Sequence, residues 1–123
     1  MRFRKAVLLC CAGIGLAMAH HAGTAFDSSQ QLVVDGTVQE FKWVNPHIWL
    51  FLQVPKAGGG YDVYQFEGAS VSVFARSGWT SKTLNPGDKI QVLYSPYKEP
   101  DRKGGEFRTV TTADGKVWGW GQI

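Results

Sequence analysis

The side chains best suited to chemistry are three histidines, His20, His21 and His47. If an N-terminal leader is removed after Ala19, His20 becomes the first residue and offers its α-amine and ring Nδ1 to one metal ion. A distant imidazole would complete the T-shaped set of three nitrogens that suits Cu(II). We expect His47 to be this third ligand, with His21 as a competitor. Because the α-amine must lose its proton to bind the metal, the affinity should decrease as the pH falls below the ordinary pKa of such an amine, roughly 7.7–8.0.

A simpler interpretation of the same histidines stays open. A His-His pair can follow a cleavage site without binding anything, and His47 can form a hydrogen bond within its own turn. A tetrahedral zinc site would need a fourth ligand, which is not evident in the sequence. The choice is therefore between Cu(II) and no metal.

Glu67 is the acidic residue best placed to act on His47. In a meander of three strands, the end of the third strand lies beside the turn between the first two, which brings Glu67 near Asn45 and His47. A carboxylate there can orient an imidazole. The alternative, which we favour, is that Glu67 accepts hydrogen bonds from backbone donors at the start of the following helix.

Four aromatic residues could form a stacking platform for a ligand, as in barrels that bind nucleotides or sugars. Core packing is the favoured alternative, because a small domain needs most of its aromatic side chains for its core. The four aromatic residues are Trp43, Trp49, Tyr64 and Phe66. From the aromatic and polar candidates together, we predict that the ligand-binding residues are Trp43, Asn45, Trp49 and Glu67.

The first 19 residues have the layout of a secretory signal peptide. Three basic residues lie within Met1–Lys5, and the 14 residues of Ala6–Ala19 are apolar or small. This run is shorter than the roughly 17–25 residues with which a helix spans a bilayer, which disfavours an uncleaved anchor. We therefore expect a periplasmic or secreted protein of a Gram-negative bacterium, without a stable membrane anchor after cleavage.

Charge and cysteine content exclude several function classes. The chain has 13 Lys and Arg against 10 Asp and Glu, but three of the basic residues are in the leader, so the mature chain is neutral. A neutral chain lacks the positive surface that binds nucleic acid. Both cysteines, Cys10 and Cys11, also lie in the leader, which excludes disulfides and cysteine sites. The partner that remains is an unknown protein or a small ligand.

No motif in the sequence indicates a catalytic site. The sequence contains neither a nucleophile elbow nor a glycine-rich phosphate loop that leads into a helix. Gly58–Gly60 follows one predicted strand but opens another, so it cannot present a helix N-terminus to a phosphate. We therefore expect a binding or accessory module rather than an enzyme. The alternative, in another class, is a metal-free structural or interaction module that binds a protein, glycan or small ligand on an aromatic β face.

The elements that must position these residues are mostly strands. Residues 20–31 are polar and small, which predicts an extended arm. Alternation from Leu32 predicts a long strand, and the apolar positions change parity near Gln39–Phe41, which predicts a bulge. Asn45-Pro46 ends that strand. A second strand follows with Ile48, Leu50, Leu52 and Val54 on one face and Trp49 and Phe51 on the other; a hairpin loop at 56–60 and a third strand at 61–67 come next.

The second half of the chain holds the one predicted helix, with Ser70 as N-cap and Gly78 at its C-terminal end. Further predicted elements are a turn at 84–88, a fourth strand at 89–94, a solvated loop at 95–105, a fifth strand at 106–112 and a last segment at 116–120. Three strands, a short helix and two strands are the order of a five-stranded barrel of the OB type. We predict one such all-β domain over residues 32–123, with a small β-sandwich as the alternative.

Several motifs together cover nearly all of the mature chain. They are Ala19-His20-His21, Gly36-Thr-Val38, Trp43-Val-Asn-Pro-His47, Phe66-Glu-Gly68, Gly78-Trp79 and Leu84-Asn-Pro-Gly-Asp88. In their order and spacing the chain resembles the small exported bacterial proteins of domain-of-unknown-function family 6152. It departs from the family pattern at Ala22-Gly23 and at Val71. The resemblance implies an exported, single-domain β protein and brings no activity with it.

Overall fold

The computed structural model describes residues 25–121 of the chain. The predicted signal peptide at 1–19, His20 and His21, and the first part of the arm lie outside the described residues. The described part contains six strands and one helix: β1 (Leu32–Lys42), β2 (Trp49–Pro55), β3 (Tyr61–Glu67), α1 (Val71–Arg76), β4 (Lys89–Pro96), β5 (Gly104–Thr112) and β6 (Val117–Gly119). None of its helices is long and apolar enough to cross a membrane.

The strands form one sheet that closes on itself. Its order is β3-β2-β1-β4-β5-β6, and a parallel pairing of β3 with β5 joins the two ends of the five-stranded part. All other neighbours are antiparallel. The result is a closed five-stranded barrel with β6 added at one side. The predicted OB-like barrel is confirmed, and the sandwich alternative is wrong because there is a single closed sheet.

The long first strand makes the closure possible because it pairs with two neighbours in turn. Its first half, residues 32–37, pairs with β4, and its second half, residues 37–42, pairs with β2. The register with β2 shifts between Val38 and Glu40, which confirms the predicted bulge. A bulge increases the local twist and bends the strand, so β1 can leave one partner and join the next.

The core is aromatic and is capped by α1. The side chain of Phe74 on α1 is fully buried and contacts Trp79, which is 2% exposed. The predicted caps are confirmed: Ser70 accepts a hydrogen bond from the Val73 N–H at 3.4 Å, and Gly78 has a φ of 91°. The Trp79 indole donates to the Gly119 carbonyl at 2.8 Å. Helix, core and β6 are thus held together by one tryptophan.

The predicted solvated loop at 95–105 is wrong at both of its ends. Ser95 and Pro96 continue β4, Gly104 and Gly105 begin β5, and Tyr97 is only 6% exposed. The two strands approach so closely there that a Cβ on Gly105 would overlap the Ser95 carbonyl oxygen. Glycine, which indicated a loop in the sequence, instead permits tight pairing. Only residues 98–103 form the connection.

Residues 25–31 of the predicted arm are also packed onto this region. Phe26 is 3% exposed and forms a β-bridge with Tyr97, their ring centroids 5.2 Å apart. The Asp27 N–H donates to the Pro96 carbonyl at 2.8 Å, and the Lys98 N–H donates to the Ala25 carbonyl at 2.9 Å. The described part of the arm therefore adds to the end of β4.

Candidate functional site

The connection between β1 and β2, residues 43–48, is fixed to the chain that follows β3. The Ile48 N–H donates to the Ala69 carbonyl at 2.9 Å, and the Gly68 N–H donates to the Ile48 carbonyl at 2.8 Å. The Asn45-Pro46 peptide bond within the connection is cis. This pairing brings the Trp43–His47 motif beside the Phe66–Gly68 motif.

His47 and Glu67 form a direct pair at this junction. The Nδ1 of His47 lies 2.5 Å from Oε1 of Glu67, and the two side chains are 38% and 17% exposed. With Nδ1–H donating to the carboxylate, the tautomer of a neutral imidazole is set and its Nε2 carries the free lone pair. The arrangement can therefore present an oriented nitrogen ligand, or a hydrogen-bond acceptor, to a bound group.

The backbone around Glu67 explains why this carboxylate faces His47. Phe66 is fully buried in the barrel, so Glu67 points to the outer face, where its cross-strand partner is Trp49. His47 precedes Trp49 by two residues along the chain, so its side chain lies beside the Glu67 carboxylate.

Gly68, the residue after Glu67, lets the helix pack closely against the end of β3. A Cβ on Gly68 would lie 2.6 Å from Cζ of Phe74, so glycine is required for the close approach of the helix.

Asn45 has the capping role that the sequence analysis favoured for Glu67. Its Oδ1 accepts a hydrogen bond from the Val71 N–H at 3.0 Å, at the first residue of α1. The favoured prediction for Glu67 is therefore wrong, and the carboxylate binds His47 instead. The expected proximity of Asn45 and Glu67 is present, but Asn45 rather than Glu67 accepts the hydrogen bond from the start of the helix.

The outer face continues from Glu67 across β5 to β4. Glu67 pairs with Glu106 in the parallel register, and Glu106 pairs with Ser95. Oε1 of Glu106 lies 3.1 Å from Nη2 of Arg108. Three buried polar atoms on or directly after these strands have no hydrogen-bond partner among the described residues: Ser95 Oγ, Tyr97 Oη and Arg108 Nε.

Tyr97 links this face to the arm. Burial raises the pKa of its hydroxyl above the ordinary value of 10.0, the Arg102 guanidinium opposes this rise, and the charge of Glu67 adds to it. Arg102 lies over the Tyr97 ring, 3.8 Å from its centroid. Glu67 is thus close enough to act electrostatically on the residue against which Phe26 packs.

The predicted aromatic platform is divided between the core and the surface. Phe66 is fully buried, Tyr64 is half-buried against the core, and Trp43 packs edge-on against Phe74 at 6.3 Å. Trp49 remains on the outer face and is half-buried. Its neighbour there is Phe51, with ring centroids 6.5 Å apart and planes 25° from parallel. The alternating pattern of β2 was the signal for this neighbour, although the platform prediction left it out.

The described residues supply only part of the predicted metal site. Within residues 25–121, no group of three or more His, Cys, Asp and Glu lies close enough to hold a metal ion. An open pocket of about 570 Å³ lies elsewhere on the barrel, lined by residues such as Asp35, Thr37, Lys89 and Gln91. We place the candidate site at His47 and Glu67, because there a carboxylate orients an accessible imidazole.

Comparison with known proteins gives a family without a known activity. The model of a family of unknown function, DUF6152, matches residues 7–106. Neither a curated protein nor a solved structure matches the chain.

Proposed function

The chain belongs to the DUF6152 family, and we propose that it is an exported periplasmic binding module, without catalytic activity of its own, that binds Cu(II). The ligands are the α-amine and Nδ1 of His20, exposed by cleavage after Ala19, and Nε2 of His47. The observation that carries the proposal is the Nδ1–Oε1 contact of 2.5 Å between His47 and Glu67, which leaves Nε2 for the metal.

The pair with Glu67 gives His47 an advantage over an ordinary surface histidine. The carboxylate restricts the ring to one orientation, as the outer partners of metal-binding histidines do. Backbone hydrogen bonds on both sides of the pair, through Ile48 and Gly68, hold the junction in place. Less conformational freedom is then lost when the metal binds.

The arm supports the proposal because its anchor limits where the N-terminus can go. Six residues of chain lead from Phe26 back to His20, and they span at most about 20 Å. Phe26 pairs with Tyr97 on the side of β4 opposite β5, so β2 lies four strand spacings from Phe26 through β4, β5 and β3, or about 19 Å. An extended arm can therefore bring His20 to His47, with little length to spare.

The proposal is tested by calorimetric titration with Cu(II) of the exported protein, its N-terminus confirmed as His20 by intact mass. We expect one ion per chain. Acetylation of the α-amine removes the amine chelate and should abolish tight binding, whereas His47→Ala should lower the affinity at least about tenfold. Glu67→Ala should lower the affinity for Cu(II) about 10–100-fold. Glu67→Gln keeps an acceptor for Nδ1–H and should lower the affinity less.

Two further variants separate this site from an unspecific His-His peptide. His21→Ala should keep the affinity of the natural chain if His47 is the third ligand. Deletion of Gly23 and Thr24 should weaken binding, because the shortened arm no longer reaches β2. Equal affinity for the natural chain, His47→Ala and a free peptide of residues 20–26 would overturn the proposal.

A second candidate function is a metal-free interaction module. The observation that favours it is the half-buried pair Trp49 and Phe51 on the outer face of β2, beside the candidate metal site. In barrels of the OB type, the face of the second and third strands and the loop between the first two are where ligands bind. Here that loop carries Asn45 and His47.

A further inference from the structure

We infer that the outer face of β2 and β3 binds a neutral oligosaccharide that stacks on Trp49 and Phe51. The inference deepens the metal-free form of the proposed function and does not require Cu(II). We call these two residues the aromatic strip.

The strand register surrounds the aromatic strip with hydrogen-bonding side chains. Trp49 lies between its partners on β1 and β3, and Phe51 lies between the next pair. The flanking residues are Lys42 and Glu67 beside Trp49, and Glu40 and Gln65 beside Phe51. Each ring therefore has an acidic residue on one side and a basic or amide residue on the other.

The two rings are displayed by the pleat of β2 rather than left over from the core. Leu50 and Leu52, the alternate residues, are fully buried and fill the barrel. The rings of Trp49 and Phe51 face the other way and are half-buried. Their centroids are 6.5 Å apart with planes 25° from parallel, so the part of each ring that faces solvent lies beside its neighbour on one surface.

The cation that flanks the aromatic strip, Lys42, has an acidic neighbour. Its ammonium lies 4.0 Å from the Glu40 carboxylate, and Glu67 accepts a hydrogen bond from His47. The Lys42 ammonium also lies 5.5 Å from the centre of the Phe51 ring. A face with paired charges does not attract a phosphate chain, whose binding depends on unpaired Lys and Arg.

The ligand class follows from this combination. A pyranose has an apolar C–H face, which stacks on an aromatic ring, and a rim of hydroxyls, which bind carboxylates, amides and ammonium groups. Two adjacent rings with polar side chains on both sides match at least two successive sugar units. A protein partner would need a larger continuous surface than two half-buried rings provide.

The inference is tested by NMR titration of the protein with cellohexaose, chitohexaose and maltohexaose. The protein is acetylated at its N-terminus and is kept in EDTA, so that the proposed copper chelate cannot contribute. At millimolar sugar we expect shifts of the Trp49 indole signal and of amides in β2 and β3. Oligothymidylate serves as the nucleic-acid probe and should cause none.

Variants then locate the site. Trp49→Ala and Phe51→Ala should each lower the association constant about tenfold or more, as expected for loss of one stacking contact. Val117→Ala is the control, since Val117 is 59% exposed on β6, which pairs with β5 and lies away from the aromatic strip. Far-UV circular dichroism and thermal unfolding confirm that each variant is folded.

Each outcome decides the matter. Shifts with one of the three sugars, lost in Trp49→Ala and kept in Val117→Ala, support the inference. No shift with any sugar, an equal loss in Val117→Ala, or binding of oligothymidylate instead overturns it. Because Cu(II) is absent throughout, these results are independent of the titration that tests the metal site.

Discussion

The connections 43–48 and 98–103 border the same outer face of the barrel but are built in different ways. The first is held by polar side chains and leaves an imidazole accessible: Asn45 binds the start of α1, and Glu67 orients His47. The second rests on close backbone packing, with Gly105 against Ser95 and Tyr97 beneath Phe26.

This difference shows that polar composition alone does not identify a functional loop. The 98–103 connection contains more charged residues, yet they lie at its exposed surface and the base beneath them is structural. The 43–48 connection contains a single ionisable residue, His47, and it has a specific partner. Orientation of one side chain, rather than the number of charges, makes the first connection the candidate site.

The strongest test of the structural connection is Gly105→Ala. Because a Cβ there would overlap the Ser95 carbonyl, β4 and β5 must move apart, and we expect a loss of about 3 kcal/mol or more in the free energy of unfolding, measured with urea. Gly59→Ala is the control: its φ of 111° is unfavourable for alanine but no atom is within 4 Å, so about 1 kcal/mol should be lost. Equal losses would refute the close packing.

The next largest effect concerns the 43–48 connection. Asn45→Ala leaves the Val71 N–H without its acceptor, and we expect a loss of about 1 kcal/mol in the free energy of unfolding. Asn45→Asp keeps an oxygen at that place and should retain most of the stability. If both variants unfold like the natural chain in urea, the contact does not fix this connection.

The smallest effect concerns the unpartnered hydroxyl beneath the arm. Tyr97→Phe removes a buried polar group without a partner among the described residues, so the free energy of unfolding at neutral pH should rise by up to about 1 kcal/mol. A loss of stability would show instead that the hydroxyl has a partner in solution.

The same variant changes the response to alkaline pH. Burial holds the Tyr97 hydroxyl protonated in the folded state above its ordinary pKa of 10.0. Above about pH 10 the unfolded chain binds fewer protons than the folded one, so stability falls as pH rises. Tyr97→Phe should lose less stability over this range. Tyr94, whose pKa burial also raises, accounts for a remaining decline.

Local patterns predicted a large part of the fold. The alternation of β2, the N-cap at Ser70 and the change of parity before Phe41 each depend on neighbouring residues, and each has its counterpart in the structure. The meander order likewise predicted that Glu67 would lie near Asn45 and His47.

The features that sequence patterns did not predict depend on distant partners. In the sequence, Gly105 indicates a loop, because its close contact with Ser95 becomes visible only in the structure. The polar residues around Phe26 likewise indicate a free arm, because its partner Tyr97 is distant in the chain. The side chains of Asn45 and Glu67 both offer acceptor oxygens near two donors, the Val71 N–H and the His47 Nδ1–H. Only the positions of the backbone decide which donor each one binds.

The most direct test of the proposed copper site is the EPR spectrum of the protein beginning at His20 with one equivalent of Cu(II). We expect nitrogen hyperfine structure from the amine and two imidazoles, and a clear change of the copper g and A values in His47→Ala. His21→Ala should leave the spectrum unchanged. Identical spectra for the natural chain and His47→Ala would contradict the assignment of His47 as a ligand.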